Sequence, residues 1–391
     1  MKITFWISLF IIIYTFVGYA VILYILVRIR RLVKGKRRPA EVLQNLLPSC
    51  TLVIAAYNEE DFIRQKIGNT LELNYPEDKL DIVFVTDGST DRTPDIIKEY
   101  PRIKLLHETS RNGKIAAVHR AVANVETQVI VFTDANTFLN REALTTICRH
   151  YSDPTVGAVA GEKRIISGDQ ADASAAGEGF YWKYESALKK WDSELYSVVG
   201  AAGELFSVRR HLYSPVSPNA ILDDFMISML IALKGYRIVY EPDAYALETA
   251  SENVSEELKR KIRIAAGGIQ SILWLKHLLN IFKYGILSFQ YISHRVLRWT
   301  ITPFLLVLVF LLNILITLLS PDLLYIVLLS FQTAFYTLAF AGMILEKKQL
   351  RVKVLFIPYY FCVMNYAVAA GIFRYFRKQQ SAVWEKAKRK L

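Results

Sequence analysis

Apolar positions along the chain follow two different patterns. Residues 3–27 form an almost unbroken apolar run, long enough to cross a bilayer with some tilt. The run is too long for the core of a signal peptide, and no small-residue cleavage pattern precedes the basic block behind it. From residue 51 to about 245 the pattern changes to short apolar runs separated by helix-like stretches. The runs 51–56, 81–86, 103–106 and 129–133 are near-continuous in Val, Ile, Leu and Phe, as strands buried on both faces are. They predict an α/β domain with a mostly parallel sheet. In such sheets ligands bind beyond the carboxyl ends of the strands, where the strand order reverses.

Past residue 267 the helical periodicity continues, but Lys276, His277 and Lys283 interrupt its apolar face. An amphipathic helix lying in a membrane interface is expected over 276–299. Runs 303–319 and 323–345, joined by Ser320-Pro321-Asp322, read as a transmembrane hairpin. For the last apolar stretch, 354–376, a full crossing would leave the basic tail outside, against the positive-inside tendency. A re-entrant or interfacial segment, broken near Pro358 and Asn365, is the preferred expectation. The predicted layout is a transmembrane helix over 1–30, a basic linker over 31–49 and a cytoplasmic domain over 50–275. The interfacial helix at 276–299 and a transmembrane region with a basic tail at 300–391 complete it.

Composition agrees with this division. A hydrophobic share of 53% is high for a soluble protein, and the excess sits in the flanking runs. The 48 Lys and Arg against 36 acids leave +12. Many of these cations crowd beside apolar segments, as at Arg28, Arg30, Arg31 and Lys34, where they favour anionic lipid and set topology. Nucleic acid is excluded as a partner, because the basic residues do not line a groove with interleaved aromatics. The 3 cysteines are far apart and lack metal-ligand spacing.

Polar groups of chemical interest fall just after the predicted strands. Ala55-Ala56-Tyr57-Asn58-Glu59 follows the first, and Asp87-Gly88-Ser89 the second. Arg111-Asn112-Gly113-Lys114 opens a helix, where free amides and a lysine make an anion site. Thr133-Asp134-Ala135-Asn136 ends the fourth strand, with an acid and an amide on alternate positions. Such oxygen ligands suit Mg2+ or Mn2+ on a diphosphate. Taken singly, each motif is equally a polar turn or a helix cap.

As an ordered series they are specific. Together with Gly200–Arg210, Leu222-Asp223-Asp224 and Arg260-Lys261-Ile262-Arg263, the series resembles the membrane-bound family 2 glycosyltransferases, the group of the cellulose, hyaluronan and poly-N-acetylglucosamine synthases. The resemblance implies a GT-A-like domain that binds a nucleotide-diphosphate sugar. Asp87 would contact base or ribose, with Tyr57, Asn58 and Glu59 beside it and Lys114 facing the same nucleotide. Asp134 and Asn136 would hold the metal. Asp224 would be the general base, with Asp223 on the substrate, and Arg263, helped by Arg260, would stabilise the leaving diphosphate. Two positions depart from the family: Asn136 stands where a second acid is usual, and Ile264 where the synthases carry an aromatic.

The implied reaction is inverting transfer of a hexose or N-acetylhexosamine from a UDP-sugar (a GDP-sugar less so) to a saccharide or lipid-linked acceptor. It would occur at the cytoplasmic face of the cell (inner) membrane, in a multi-pass protein. Processive synthesis and single addition both fit. The reading from another class is a weakly catalytic sugar-nucleotide-binding subunit with a partner in a secretion complex.

Overall fold

A computed structural model describes residues 1–35, 46–166, 173–249, 254–348 and 352–379. Parts of the predicted basic segments (36–45, 349–351 and 380–391) lie outside the described residues. The chain divides into a sheet unit, built from Val27–Ile166 and Lys189–Ala250, and a helical unit, built from Met1–Leu26, Ser167–Leu188 and Ser251–Gln380.

The sheet unit holds eight strands: β1 Cys50–Ala56, β2 Leu80–Asp87, β3 Lys104–Glu108, β4 Val129–Asp134, β5 Thr137–Leu139, β6 Val156–Ile166, β7 Leu205–Arg209 and β8 Arg237–Thr249. Their order is β3-β2-β1-β4-β7-β6-β8-β5. The four apolar runs are the four parallel neighbours β1 to β4, as their composition predicts. Helices Glu60–Leu71, Thr93–Lys98 and Lys114–Ala123 link them in turn. Leu52, Ile54, Ile63, Ile67, Phe84 and Val131 join one core between sheet and helices. The chain steps outward from β1 to β3 and then returns to β4 on the other side of β1. The strand order therefore reverses between β1 and β4, where their carboxyl ends open a crevice. Register pairs Ala55 with Asp134 and Asp87 with Glu108, bringing the polar strand ends to one edge. Beyond β4 the sheet is mixed: β7 runs antiparallel to β4 and β6, while β6 and β8 run parallel.

In the helical unit, four helices are long and apolar enough to cross a membrane: Lys2–Lys34, Thr302–Leu319, Leu323–Lys347 and Val354–Phe376. The first three of these contain the expected runs, and the hairpin turn is capped by Asp322, whose carboxylate accepts the Leu324 amide at 2.9 Å. Two expectations change. Residues 276–299 are not one amphipathic helix but a series of short pieces, Lys276–Leu279, Ile281–Tyr284, Ile286–Tyr291, Ile292–Val296 and Leu297–Trp299. Gly285, at φ +52, turns the chain where a helix would have to continue. The segment expected to break near Pro358 and Asn365 is instead a continuous helix, Lys353–Phe376. Pro358 lies in its second turn, where little of the hydrogen-bond ladder precedes it. Asn365 turns its amide back onto the Phe361 carbonyl at 2.9 Å, so its polar group is satisfied within the helix.

Candidate active site

The loops after β1 and β2 are sewn together by Asn58. Its backbone sits at φ +52, a left-handed conformation that asparagine tolerates better than most residues. Its side-chain carbonyl accepts the Thr90 amide at 2.8 Å, and its Nδ2 donates to the Thr90 hydroxyl at 3.3 Å. Glu59 is fully buried beneath these loops, its amide donating to the Thr93 hydroxyl at 2.8 Å. Tyr57 faces outward, with the Arg111 guanidinium 4.0 Å from its ring centroid. Gly88, at φ +69, is required here because a Cβ would come within 2.7 Å of the Arg111 Cβ.

Asp87 closes this wall from below. Its Oδ2 accepts the amides of Asn112 at 2.8 Å and Gly113 at 2.6 Å, and Arg120 lies 3.6 Å from its Oδ1. The sequence suggested that these amides were free for a phosphate. In the structure the two amides just ahead of helix Lys114–Ala123, those of Asn112 and Gly113, are taken by Asp87 itself. A recess lined by Ala55, Tyr57, Asp87, Arg111, Gly113 and Lys114 opens alongside.

Lys114 also lines a second recess, with Thr133, Asp134, Gly203 and Asp223. Its ammonium donates to Asp134 Oδ1 at 2.7 Å. Burial pulls the lysine pKa down, but the nearby carboxylates, Asp134 foremost and then Asp223 and Asp224, hold it well above the usual range. Asp223 and Asp224 occupy the first turn of helix Asp223–Leu233, where acids are favoured by the helix dipole. Neither side chain caps the helix start; the N-cap position is Leu222, which has no side-chain bond. Asp224 Oδ1 accepts the Phe225 amide at 2.8 Å. Burial first, and Asp223 second, push the Asp224 carboxyl up to about 7, with Lys114 and the Phe225 amide opposing.

The loop before β7 packs onto this helix without side chains in the way. A Cβ on Gly203 would sit 3.2 Å from Asp224 Oδ2 and 3.6 Å from Lys114 Nζ, and one on Gly200, at φ +83, would meet the Phe225 ring at 2.1 Å. The Ser228 hydroxyl accepts the Ala201 amide at 2.9 Å and fastens the loop to the helix. The 200–210 motif is visible in the sequence, but nothing in it marks Gly203 as the residue whose missing side chain leaves room for Asp224.

Asp134 is the last residue of β4, and Asn136 stands in the turn before β5. Asn136 Oδ1 is buried with no hydrogen-bond partner, an acceptor left open for a cation. Among the described residues, no three His, Cys, Asp or Glu side chains gather as a closed metal cage. The donors present therefore fit an open site whose remaining ligands come from phosphate and water, as Mg2+ and Mn2+ sites commonly are. Beneath the turn, and absent from the sequence reading, lies Lys66, fully buried on helix Glu60–Leu71. Burial lowers its pKa to about 7, with Asp134 opposing.

Arg260 and Arg263 belong to the helical unit, on helix Val254–Trp274. Arg260 Nε lies 3.5 Å from Glu257, and Lys261 is 5.2 Å from the Trp182 ring centroid. Gly371 lets this helix pack tightly against Lys353–Phe376, since a Cβ there would meet Ala265 Cβ at 2.5 Å.

Comparison with known proteins gives the site a context. The profile of Glycosyl transferase family 2 matches residues 51–215. The chain is 27% identical over 237 residues to poly-beta-1,6-N-acetyl-D-glucosamine synthase of Staphylococcus aureus strain MSSA476, covering 58% of this chain and 56% of that protein. It is 28% identical over 252 residues to the probable glycosyltransferase YdaM of Bacillus subtilis strain 168, covering 61% and 59%. The chain thus spans little more than half the length of the curated relatives it matches. Among solved structures, the mannosyltransferase PcManGT from Pyrobaculum calidifontis, in complex with GDP-Man and Mn2+, superposes with a TM-score of 0.70. That match covers 96% of this chain and all of the other at 23% identity, and carries the fold alone. The strand-end motifs, the sheet order and the matched profile converge: the chain carries a family 2 glycosyltransferase domain on a GT-A-like fold.

Proposed function

We propose that this glycosyltransferase moves a hexose or N-acetylhexosamine from a nucleoside-diphosphate sugar, UDP-linked in the first instance, onto a saccharide or lipid-linked acceptor, with inversion. The observation that carries the reading is Asp224. Burial and the neighbouring Asp223 draw its carboxyl up to about 7 against the pull of Lys114, next to Gly203 of the recess at the strand ends. A base poised near neutrality is suited to take the acceptor hydroxyl's proton as that oxygen attacks the anomeric carbon. Single displacement turns an α-linked donor into a β-linked product.

The remaining residues divide the donor between them. Tyr57, Asn58 and Asp87 form the nucleotide wall, backed by the buried Glu59, while Lys114 and Asp223 face the sugar and diphosphate. Asp134 and Asn136 would hold Mg2+ or Mn2+, which neutralises charge on the departing diphosphate. Arg260 and Arg263 are assigned to the same leaving group, for which a guanidinium fork is suited. The four long apolar helices support a multi-pass membrane protein, and the cations after the first apolar run, Arg28, Arg30, Arg31 and Lys34, support a cytoplasmic catalytic domain. The relation to a polymer synthase favours oligosaccharide or polysaccharide products, and Ile264 favours single addition.

The test is nucleotide release by the detergent-solubilised protein across a panel of UDP- and GDP-sugars, with Mg2+ or Mn2+ and an Asp224→Asn control. Metal-dependent release with one donor, lost in the control, is the expected result. Full activity of the control protein would sink the mechanism. No release with any donor, with or without saccharide acceptors, favours a sugar-nucleotide-binding subunit of a secretion complex. Mass spectrometry of the product separates a polymer from one added sugar.

A further inference from the structure

Lys66 has no part in the scheme above, yet it is among the most deeply buried side chains of the sheet unit. A lysine in such a place needs a reason, because removing an ammonium from water is strongly unfavourable. Its Nζ donates to the Thr137 carbonyl at 2.6 Å and reaches the Thr133 hydroxyl at 3.4 Å. Thr133 and Thr137 bracket Asp134-Ala135-Asn136. The Thr137 hydroxyl donates to the Asp134 carbonyl at 3.0 Å, closing the turn, and the Thr133 hydroxyl donates to the Glu204 carbonyl at 2.8 Å, next to Gly203. One helical turn along from Lys66, Asn69 grips Leu139 twice, through its amide and its carbonyl, each at 2.8 Å. Helix Glu60–Leu71 thus holds β5 at 137 and 139, and the turn bearing Asp134 and the unpartnered Asn136 oxygen hangs from that hold.

We propose that Lys66 is a positioning residue for the metal-binding turn: its bond to the Thr137 carbonyl sets where Asp134 and Asn136 present their oxygens together. The inference rests on the metal role given to those two residues above. It also makes a directional statement. A buried cation that acted only by its charge would repel a divalent ion, so removing it would tighten metal binding. A cation that acts by placing ligands weakens binding when removed. Outer partners of metal ligands commonly alter affinity by about tenfold to a hundredfold.

The experiment measures Mn2+ affinity of the full-length, detergent-solubilised protein by electron paramagnetic resonance of free Mn2+, with UDP and separately with GDP. Wild type, Lys66→Met and Thr137→Val are compared, each with its thermal unfolding midpoint. The proposal expects Mn2+ binding about tenfold weaker or more in Lys66→Met, and weaker by several fold in Thr137→Val, which unties the Asp134 carbonyl. If Lys66→Met does not fold, Lys66→Gln, which keeps a donor but falls short of the Thr137 carbonyl, carries the test with the same expected loss, and Thr137→Val reports on the turn alone. Binding that is unchanged or tighter in the folded variants, including a lowered midpoint with unaltered affinity, overturns the proposal and leaves Lys66 a part of the fold only. Wild type that takes up no Mn2+ with either nucleotide overturns the metal assignment itself, and this inference with it.

Discussion

The two recesses that share Lys114 are built differently. On one side, Asp87 is held by two backbone amides, and the loops around it are tied through Asn58, Thr90 and Thr93. On the other, Asp224 accepts a single amide, stands beside a second acid and has a glycine where a side chain would crowd it. A carboxylate held by several donors is fixed in place, as suits recognition. One that is buried, crowded and lightly bonded has a proton affinity near the ambient pH, as suits transfer. The contrast separates binding from chemistry within one crevice.

The largest effect should come from removing the lightly bonded acid. Asp224→Asn keeps shape and the Phe225 contact but removes the base, and turnover should fall by about 10²–10⁴. Nucleotide affinity, measured by calorimetry, should stay within about twofold; a parallel loss of affinity would erase the distinction between the walls. Asp87→Ala should do the reverse. It leaves the Asn112 and Gly113 amides without their carboxylate, and charge-assisted bonds of this kind are worth about 1.5–3 kcal/mol each. A drop in nucleotide affinity of about tenfold to a hundredfold is expected, with turnover at saturating donor changed far less.

The pH profile sharpens the comparison further. With Asp224 at about 7, kcat/KM should lose about tenfold per unit as pH falls below that value, because the base is then protonated. Stability should move the other way. The folded carboxyl binds its proton more tightly than the unfolded one, whose pKa is about 3.9. The fold therefore loses stability as pH rises from about 4 to about 7 and does not regain it above. Asp224→Asn should accordingly raise the unfolding midpoint at pH 8 and leave it unchanged near pH 3.5. The smallest effect is expected from Gly203→Ala. Its methyl meets Asp224 Oδ2 at 3.2 Å, and a displacement of a few tenths of an ångström should lower kcat by severalfold, with nucleotide affinity intact.

The same contrast explains what was readable in the sequence. Strands β1 to β4 are buried on both faces, so their residues are nearly all apolar and the runs stand out. Strands β6 and β8 escape that reading because they carry charge inside. Glu162, Lys163, Glu241 and Glu248 are all buried, with Lys163 bonded to Glu204 and Glu248. A strand bearing such residues has the composition of a solvated segment, and only the partner brought from elsewhere in the chain makes it a core strand. Asp134 and Asn136 were expected to point together because side chains alternate along a strand. In fact β4 ends at Asp134, and a turn suspended from Thr137 places Asn136. Lys66 gave no signal at all, since a lysine among Arg64, Gln65 and Asn69 reads as part of a wet helix face. Its burial follows from the return of β5 over that helix, a contact between segments far apart in the chain.

The carboxylate seated on the Asn112 and Gly113 amides has a consequence for how the crevice meets ordinary electrolytes. Exposed helix starts attract chloride, sulfate and inorganic phosphate. Here the two amides just ahead of the helix are taken by a group tethered to the adjoining strand, at a local concentration no dissolved salt approaches. A dissolved anion finds no vacancy on those two amides. A free anion therefore has only Arg111 and Lys114 of the adjoining recess to compete for, and there its competition with a phosphate-bearing donor grows with the salt of the medium.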